Sequence, residues 1–244
     1  MSDNLLATKV HVPPLHGNLV NRPGLVTRLN EGIARGCRLT IISAPAGYGK
    51  STLLSEWHAQ AGLPVAWLSL EKGENSPARF WSYFVAALNT LAPVQQANIG
   101  SEILQATRTL QPGSMEDQIT VLINQLSALE GPVCLVLDDM HALSDSQIHQ
   151  DLTFLIEHLP QDAPKLHLVA TSRMDPPWPL ARWRARRELN ELRAIDLRFE
   201  YEETRQFLQG ALTFKLSPQE VAALQDRTEG WIAGLQMAAF SMQA

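Results

Sequence analysis

The sequence is poor in the features that mark secreted, membrane-bound or broadly nucleic-acid-binding chains. Its 244 residues include two cysteines, Cys37 and Cys134. Both sit at or beside apolar strand-like runs, which reads as reduced, buried thiols rather than a disulfide framework. No run approaches the ~18 apolar residues that span a bilayer. The opening "MSDNLLATKV" lacks the basic start and long apolar stretch of a secretory signal. Positive charge is not in excess: 20 Lys and Arg against 25 Asp and Glu leave a formal charge of −5, which gives no global attraction to nucleic acid. Internal repeats and low-complexity tracts are absent as well. What remains is the expectation of a cytoplasmic protein with no membrane partner. Apolar residues make up 45% of the chain, enough for a sizeable core.

Five short apolar runs punctuate the chain: "LTIIS" (39–43), "VAWLSL" (65–70), "VCLVL" (133–137), "LHLVAT" (166–171) and "LRAIDL" (192–197). Continuous hydrophobicity without alternation suits strands buried on both faces of a parallel sheet. Helical patterns lie between them at about 24–35, 50–61, 78–91, 115–129 and 147–158. Such alternation predicts an α/β fold with right-handed crossovers. After residue 197 three helical segments follow, near 201–212, 217–228 and 230–243, with no further strand. "SPQE" (217–220) reads as a capping serine, a first-turn proline and a glutamate three residues on. The expected division is therefore a nucleotide-binding domain over 1–197 and a small all-helical lid over 198–244. The last helix is expected to present Trp231, Leu235, Ala238 and Met242 on one face. It runs into "SMQA" without a glycine or proline stop, as in a chain cut from something longer or one with a frayed natural end. "TRTLQPGS" (107–114) is the expected exposed loop.

The stretch "ISAPAGYGKSTL" (42–53) carries the chemistry. It nearly spells G-x-x-x-x-G-K-[ST] in the strand, loop, helix context of a phosphate-binding loop. Gly47 and Gly49 let the backbone turn so that successive N–H groups face phosphate oxygens. Lys50 brings a point charge to the β- and γ-phosphates. Ser51 offers a hydroxyl to Mg²⁺, and the following helix adds its positive end. The candidate nucleotide-binding residues run from Ala44, Pro45, Ala46, Gly47, Tyr48 and Gly49 through Lys50, Ser51 and Thr52. Ala44 stands where the first glycine belongs. That position ends a strand, where a small residue without positive φ suffices.

"VCLVLDDMH" (133–141) supplies the acids. Asp138, at the strand end, would hold Mg²⁺ together with Ser51. Asp139 is placed to orient or deprotonate an attacking water. "LHLVATSR" (166–173) ends in Thr171, Ser172 and Arg173 on the ligand side of such a sheet. Arg173 reads either as a sensor of the γ-phosphate or as an arginine solvated after a strand. Lys50, Asp139 and Arg173 are thus the catalytic candidates. The long insertion between the second and third runs fits NTPases with a strand between loop strand and acid strand, in the order 2-3-4-1-5.

With these motifs in place the chain resembles the N-terminal ATPase module of STAND-class signalling ATPases, and within them the MalT-like large ATP-binding LuxR-type transcriptional regulators. "NRPGLVTRL" (21–29), "APAGYGKSTLLSEW" (44–57), "LVLDDMH" (135–141), "TSR" (171–173), "LRAIDLRFEYEET" (192–204) and "TEGWIAGLQMAA" (228–239) carry the resemblance, which extends over nearly the whole chain. It implies an ASCE-type P-loop NTPase whose five-stranded parallel sheet is flanked by helices and followed by a helical lid over the nucleotide. It places Arg22 and Pro23 near base and ribose. It implies ATP or ADP with Mg²⁺ as ligands, and slow hydrolysis used as a regulatory switch. It further implies self-association on activation, an unknown inducer, and DNA contact only through a C-terminal helix-turn-helix absent from this chain. The family usually carries more aspartate where this chain has "LEKGEN", so Glu71, Lys72 and Glu74 receive no catalytic role.

Other features carry less. "DPPWPLARWRARREL" (175–189) interleaves Trp178 and Trp183 with Arg182, Arg184, Arg186 and Arg187. It reads as a grip on nucleic acid, as an arginine supplied to a neighbouring protomer, or as a short helix with solvated arginines and a buried tryptophan face. The last is the plainest. His141, beside the metal acids, is the histidine to watch. Phe80, Trp81 and Phe84, at helical spacing, read as core. Two rival functions stand beside the switch: a stand-alone ATPase motor or DNA-processing enzyme of the AAA or RecA kind, and an interaction module whose loop binds nothing.

Overall fold

Four of the five apolar runs become strands because each can bury both of its faces, and a fifth strand forms at the sheet edge. In the computed structural model, which describes residues 5–15, 17, 19–109, 115–160 and 163–243, they are β1 (Leu39–Ser43), β2 (Val65–Ser69), β3 (Val133–Asp138), β4 (Leu166–Ser172) and β5 (Leu189–Arg193). All pairings are parallel. The order is β2-β3-β4-β1-β5, as expected from the sequence, so β4 lies between the phosphate-loop strand and the acid strand.

A helix, α1 (Pro23–Ala34), precedes β1, and helices fill the crossovers: α2 (Lys50–His58), α3 (Pro77–Leu88), α4 (Ala92–Gln96), α5 (Ser101–Thr109), α6 (Met115–Ser127), α7 (Ser146–His158) and α8 (Leu180–Ala185). A one-turn helix, α9 (Ala194–Leu197), leads to α10 (Tyr201–Ala211), α11 (Pro218–Thr228) and α12 (Ile232–Gln243).

Alternation along the strands divides the core into two layers. Leu39, Ile41, Leu135, Leu137 and Leu168 face the layer of α3, α5, α6 and α7. Ile42, Cys134, Val136 and Val169 face α1 and α2. Phe80, Trp81 and Phe84 are fully buried in the first layer, and the Phe80 and Trp81 rings meet edge-on at 5.4 Å. Trp81 is not left with an idle donor: its Nε1 donates to Asp151 Oδ2 at 3.0 Å. Both cysteines are buried free thiols, and burial pushes both up from the ordinary thiol range. A third cluster sits under α10, α11 and α12, where Phe199, Phe207, Leu208, Val221 and Leu235 pack with Val20. Ser217 and Glu220 form the expected capping box, with Glu220 Oε2 accepting from Ser217 N at 2.7 Å.

Three expectations need correction. The fifth strand is Leu189–Arg193 and not 192–197. The Asp196 carboxylate accepts from Arg193 N at 2.7 Å, which caps a helical turn over the apolar "AIDL". The buried stripe of the last helix is Ile232, Leu235 and Ala239, because Trp231 precedes the helix and Met242 is exposed. Within the expected loop 107–114, Thr107–Thr109 close α5, and 110–114 lie outside the described residues.

The arginine segment matches its plainest reading. Trp178 and Trp183 are buried, while Arg182 pairs with Glu157 and Arg184 with Glu191. Glu74, in the segment that departs from the family pattern, is buried against Lys9 Nζ at 2.6 Å. That pair anchors the N-terminal segment to the domain.

Candidate nucleotide site

Residues 44–49 leave β1 and turn into α2. Gly47 and Gly49 take φ of +79° and +72°, the left-handed region that glycine enters without strain. Ala44 has no positive φ and is 2% exposed. Its N–H donates to Ser172 O at 3.2 Å. A strand-like alanine therefore serves where the motif has glycine. Pro45, Ala46 and Gly47 are exposed, and Tyr48 is half-buried against the α1–α2 layer.

Lys50 begins α2 and is buried. Its Nζ donates to Ala44 O at 2.8 Å and Pro45 O at 3.0 Å, so the ammonium lies across the mouth of the loop. Burial holds it below the ordinary lysine range, against the opposing pull of Asp139 and Asp138. Asp138 is buried at the end of β3. Burial pushes its carboxyl up, while hydrogen bonds from Thr171 and Ser51 pull it down. Ser51 and Asp138 thus meet as a pair of oxygen donors, the chemistry that Mg²⁺ selects, so these residues fit that ion.

Thr171 organises the two acids. Its hydroxyl donates to Asp138 Oδ1 at 2.5 Å and accepts from Asp139 N at 2.9 Å. Asp139 takes φ of +64°, a conformation aspartate tolerates better than most residues. Its half-exposed carboxylate lies 3.6 Å from His141 Nδ1. Among the described residues that buried nitrogen has no hydrogen-bond partner, and burial holds His141 below its ordinary range. Arg173 is exposed after β4, near enough for its charge to be felt at Lys50 and His141.

The structure thus brings Lys50, Ser51, Asp138, Asp139 and Arg173 to one end of the sheet. Arg22 and Pro23 stand apart from these groups. Pro23 is the first residue of α1. The Arg22 guanidinium donates to Leu197 O at 2.7 Å, Arg198 O at 2.9 Å and Glu203 Oε1 at 2.9 Å, and stacks over Phe199 at 5.3 Å. Its charge is thereby committed to tying α1 to the helices after residue 197. Only its backbone and stem are left to face a ligand.

A cavity of about 480 Å³ opens beside the loop. One wall is Gly49 with Thr52, Leu53 and Glu56 of α2; the other is mostly apolar, with Phe199, Phe207, Ile232, Ala239 and Phe240 beside Gln236 and Gln243. The helices also grip the loop directly. Trp231 Nε1 donates to Ala46 O at 3.0 Å, and Ala233 N donates to Gly47 O at 3.0 Å. A Cβ at Gly47 would stand 2.5 Å from Ala233 Cβ, so glycine is required there by contact as well as by φ. Sequence reasoning missed Thr171 as an organiser, Glu56 in the cavity wall, and Trp231 as a loop ligand. A glutamate between Leu53, Leu54 and Trp57, all buried, is the local signal for Glu56, and the resemblance that lays "TEGWIAGL" near the ATPase site is the one for Trp231.

A family profile for the AAA ATPase domain matches residues 24–170. The chain belongs to the AAA ATPase domain family. The match runs from α1 into β4 of this AAA ATPase domain and so includes the loop and both acids, and it stops one residue before Thr171. The HTH-type transcriptional regulator MalT of Yersinia enterocolitica is 35% identical over 97% of this chain and 25% of its own length. MalT of Cronobacter sakazakii is likewise 35% identical, over 97% of this chain and 25% of its own. The chain therefore spans about a quarter of the length of the curated relatives it matches. The resemblance to MalT-like regulators read from the motifs is borne out by these similarities. Among solved structures, a Walker-type ATPase of Pyrococcus abyssi aligns with a TM-score of 0.55 at 12% identity, over 91% of this chain and 67% of that one. That likeness supports the fold of a P-loop ATPase. Among the described residues no helix is long and apolar enough to cross a membrane.

Proposed function

We propose that this AAA ATPase domain is the ATP- and Mg²⁺-dependent switch of a signal-responsive, cytoplasmic transcriptional regulator. It binds ATP, hydrolyses it slowly, and gates activation and self-association through its helical lid. The observation that carries the reading is the double use of one loop. Residues 44–50 have the turn, lysine and helix end that receive phosphates, and two carbonyls of the same loop hold Trp231 and Ala233. A change in loop occupancy is then felt by the lid.

The residues divide the work. Backbone N–H groups of the loop bind the phosphates, and Lys50 leaves its carbonyl partners to meet them. Ser51 and Asp138 would hold Mg²⁺, which would supply positive charge to offset that of the phosphates. Thr171 keeps the Asp138 carboxylate aimed at that position. Asp139, half-exposed, orients a water, and Arg173 reads the γ-phosphate. The apolar walls of the cavity take the base. Moving a lid from 1:99 to 99:1 requires about 5.5 kcal/mol of differential binding, the order that a few charge-assisted γ-phosphate contacts supply. The lid so proposed is 198–244, on a nucleotide-binding domain of 1–197.

The wider role rests on the identity to MalT. The remaining three quarters of such a protein would carry the inducer sensor and the DNA-binding helix-turn-helix. The site itself is tested by Lys50→Ala. The variant should keep the fold, read by circular dichroism, and lose ATP binding in calorimetry. Unchanged affinity would refute the site.

A further inference from the structure

The mechanism above leaves one buried ionisable group of the cavity unused. Glu56 is 4% exposed and lines the cavity from α2. Gly49, Thr52, Leu53 and Glu56 stand at spacings of three, four and seven, one face of that helix. Glu56 Oε1 accepts from Arg22 N at 3.2 Å. Among the described residues no hydrogen bond or ion pair reaches Oε2. A cavity-lining carboxylate oxygen without a protein donor is free to accept from a ligand that brings an O–H or N–H.

The position along the cavity selects that ligand group. Gly49 and Thr52 mark the phosphate end, at the start of α2. Glu56 lies one turn beyond Thr52, about 6 Å along the axis. Glu56 meets the Arg22 backbone, and the Arg22 guanidinium stacks over Phe199, so the carboxylate links the loop helix to that ring. In a nucleotide the group between phosphates and base is the sugar, and its hydroxyls are the donors a carboxylate accepts.

We propose that Glu56 is a specificity-determining residue that accepts a hydrogen bond from a ribose hydroxyl, so that the site selects ribonucleotides over deoxyribonucleotides. The inference rests on the nucleotide reading of the site. Glu56 also ties sugar recognition to the Arg22 backbone, and through it to the lid that Arg22 clamps.

The test is calorimetric titration of the purified protein with ATP, 2′-deoxy-ATP and 3′-deoxy-ATP in Mg²⁺, for wild type, Glu56→Ala and Glu56→Gln. Wild type should bind ATP roughly ten- to a hundredfold more tightly than at least one deoxy analogue, the value of a hydrogen bond to a charged group. Glu56→Ala should bring that ratio to about one, chiefly by weakening ATP while leaving the deoxy analogue's affinity in place. Glu56→Gln keeps the shape and the acceptor for Arg22 N, so it guards against a folding defect, and should reduce the ratio several-fold. Equal wild-type affinity for all three nucleotides would overturn the proposal without any variant. So would a ratio unchanged in folded Glu56→Gln. A Glu56→Ala effect equal on all three nucleotides would show that Glu56 does not face the sugar and would overturn it too. If wild type binds no nucleotide, the reading of the site itself fails. ATP binding without sugar selection fails Glu56 alone.

Discussion

Replacing Gly47 with alanine strikes the loop and the lid at one atom. The residue has φ of +79°, and an added Cβ would lie 2.5 Å from Ala233 Cβ and 2.8 Å from Trp231 Nε1. A left-handed alanine costs about 1–2 kcal/mol. The clash is relieved most readily by moving the lid, since both obstructing atoms belong to it. Moving it breaks the bonds from Trp231 and Ala233 to the loop, each worth about 0.5–1.5 kcal/mol net. The expected destabilisation is then about 2–5 kcal/mol, a fall in Tm of roughly 5–15 °C for a domain of this size. Scanning calorimetry reads the total, and hydrogen exchange across 230–243 reads where it falls. Amides of early α12 should lose protection before the sheet does. Gly24→Ala is the control, since nothing lies within 4 Å of its Cβ, and it should be neutral or stabilising by up to about 1 kcal/mol. An unchanged Tm and unchanged α12 protection in Gly47→Ala would refute the claim that the lid rests on this loop.

Other outcomes follow from the same geometry. Thr171→Val keeps the shape but removes the hydroxyl between Asp138 and Asp139 N, leaving buried polar groups unpaired at about 1–3 kcal/mol. It should weaken Mg²⁺-dependent ATP binding by tenfold or more, whereas Thr171→Ser should retain it; equal affinity in the valine variant would contradict the organising role. His167 is buried far from this site, its Nδ1 against Cys37 O at 2.6 Å and its Nε2 against Thr40 Oγ1 at 2.9 Å. Burial lowers it from an ordinary 6.5 to about 4. Below pH 6.5 the unfolded chain therefore takes up a proton that the folded chain refuses. Stability should fall by about 3 kcal/mol between pH 6.5 and 4 from this group. Denaturant melts of wild type and His167→Gln should differ in that window, and parallel pH curves would contradict the assignment.

What the sequence made legible is what local composition governs. β1 to β4 stand out because strands buried on both faces need unbroken apolar runs, and their order fits the NTPase pattern that the long insertion suggests. The phosphate loop is readable because its glycines, lysine and serine act within a few consecutive residues. β5 is misplaced because it is an edge strand whose buried residues, Asn190 and Leu192, alternate with half-buried ones, while the apolar run beside it is capped into a helix by Asp196. Trp231 reads as one more residue of a buried stripe until the chain brings Ala46 to its indole from 185 residues away. Arg22 is similar: its charge is met by carbonyls and a carboxylate more than 170 positions on. Glu56 shows its departure locally, as an acid in an apolar arc, but its purpose depends on a cavity that α10 and α12 complete.

The most direct test of the account is calorimetric titration of the protein with ATP and with ADP in Mg²⁺, with phosphate release followed in the same samples. The account predicts saturable binding of both nucleotides, with turnover far below the roughly 10 per second typical of enzymes. Absence of binding to either nucleotide would contradict the site, and turnover at the enzyme median would contradict the switch.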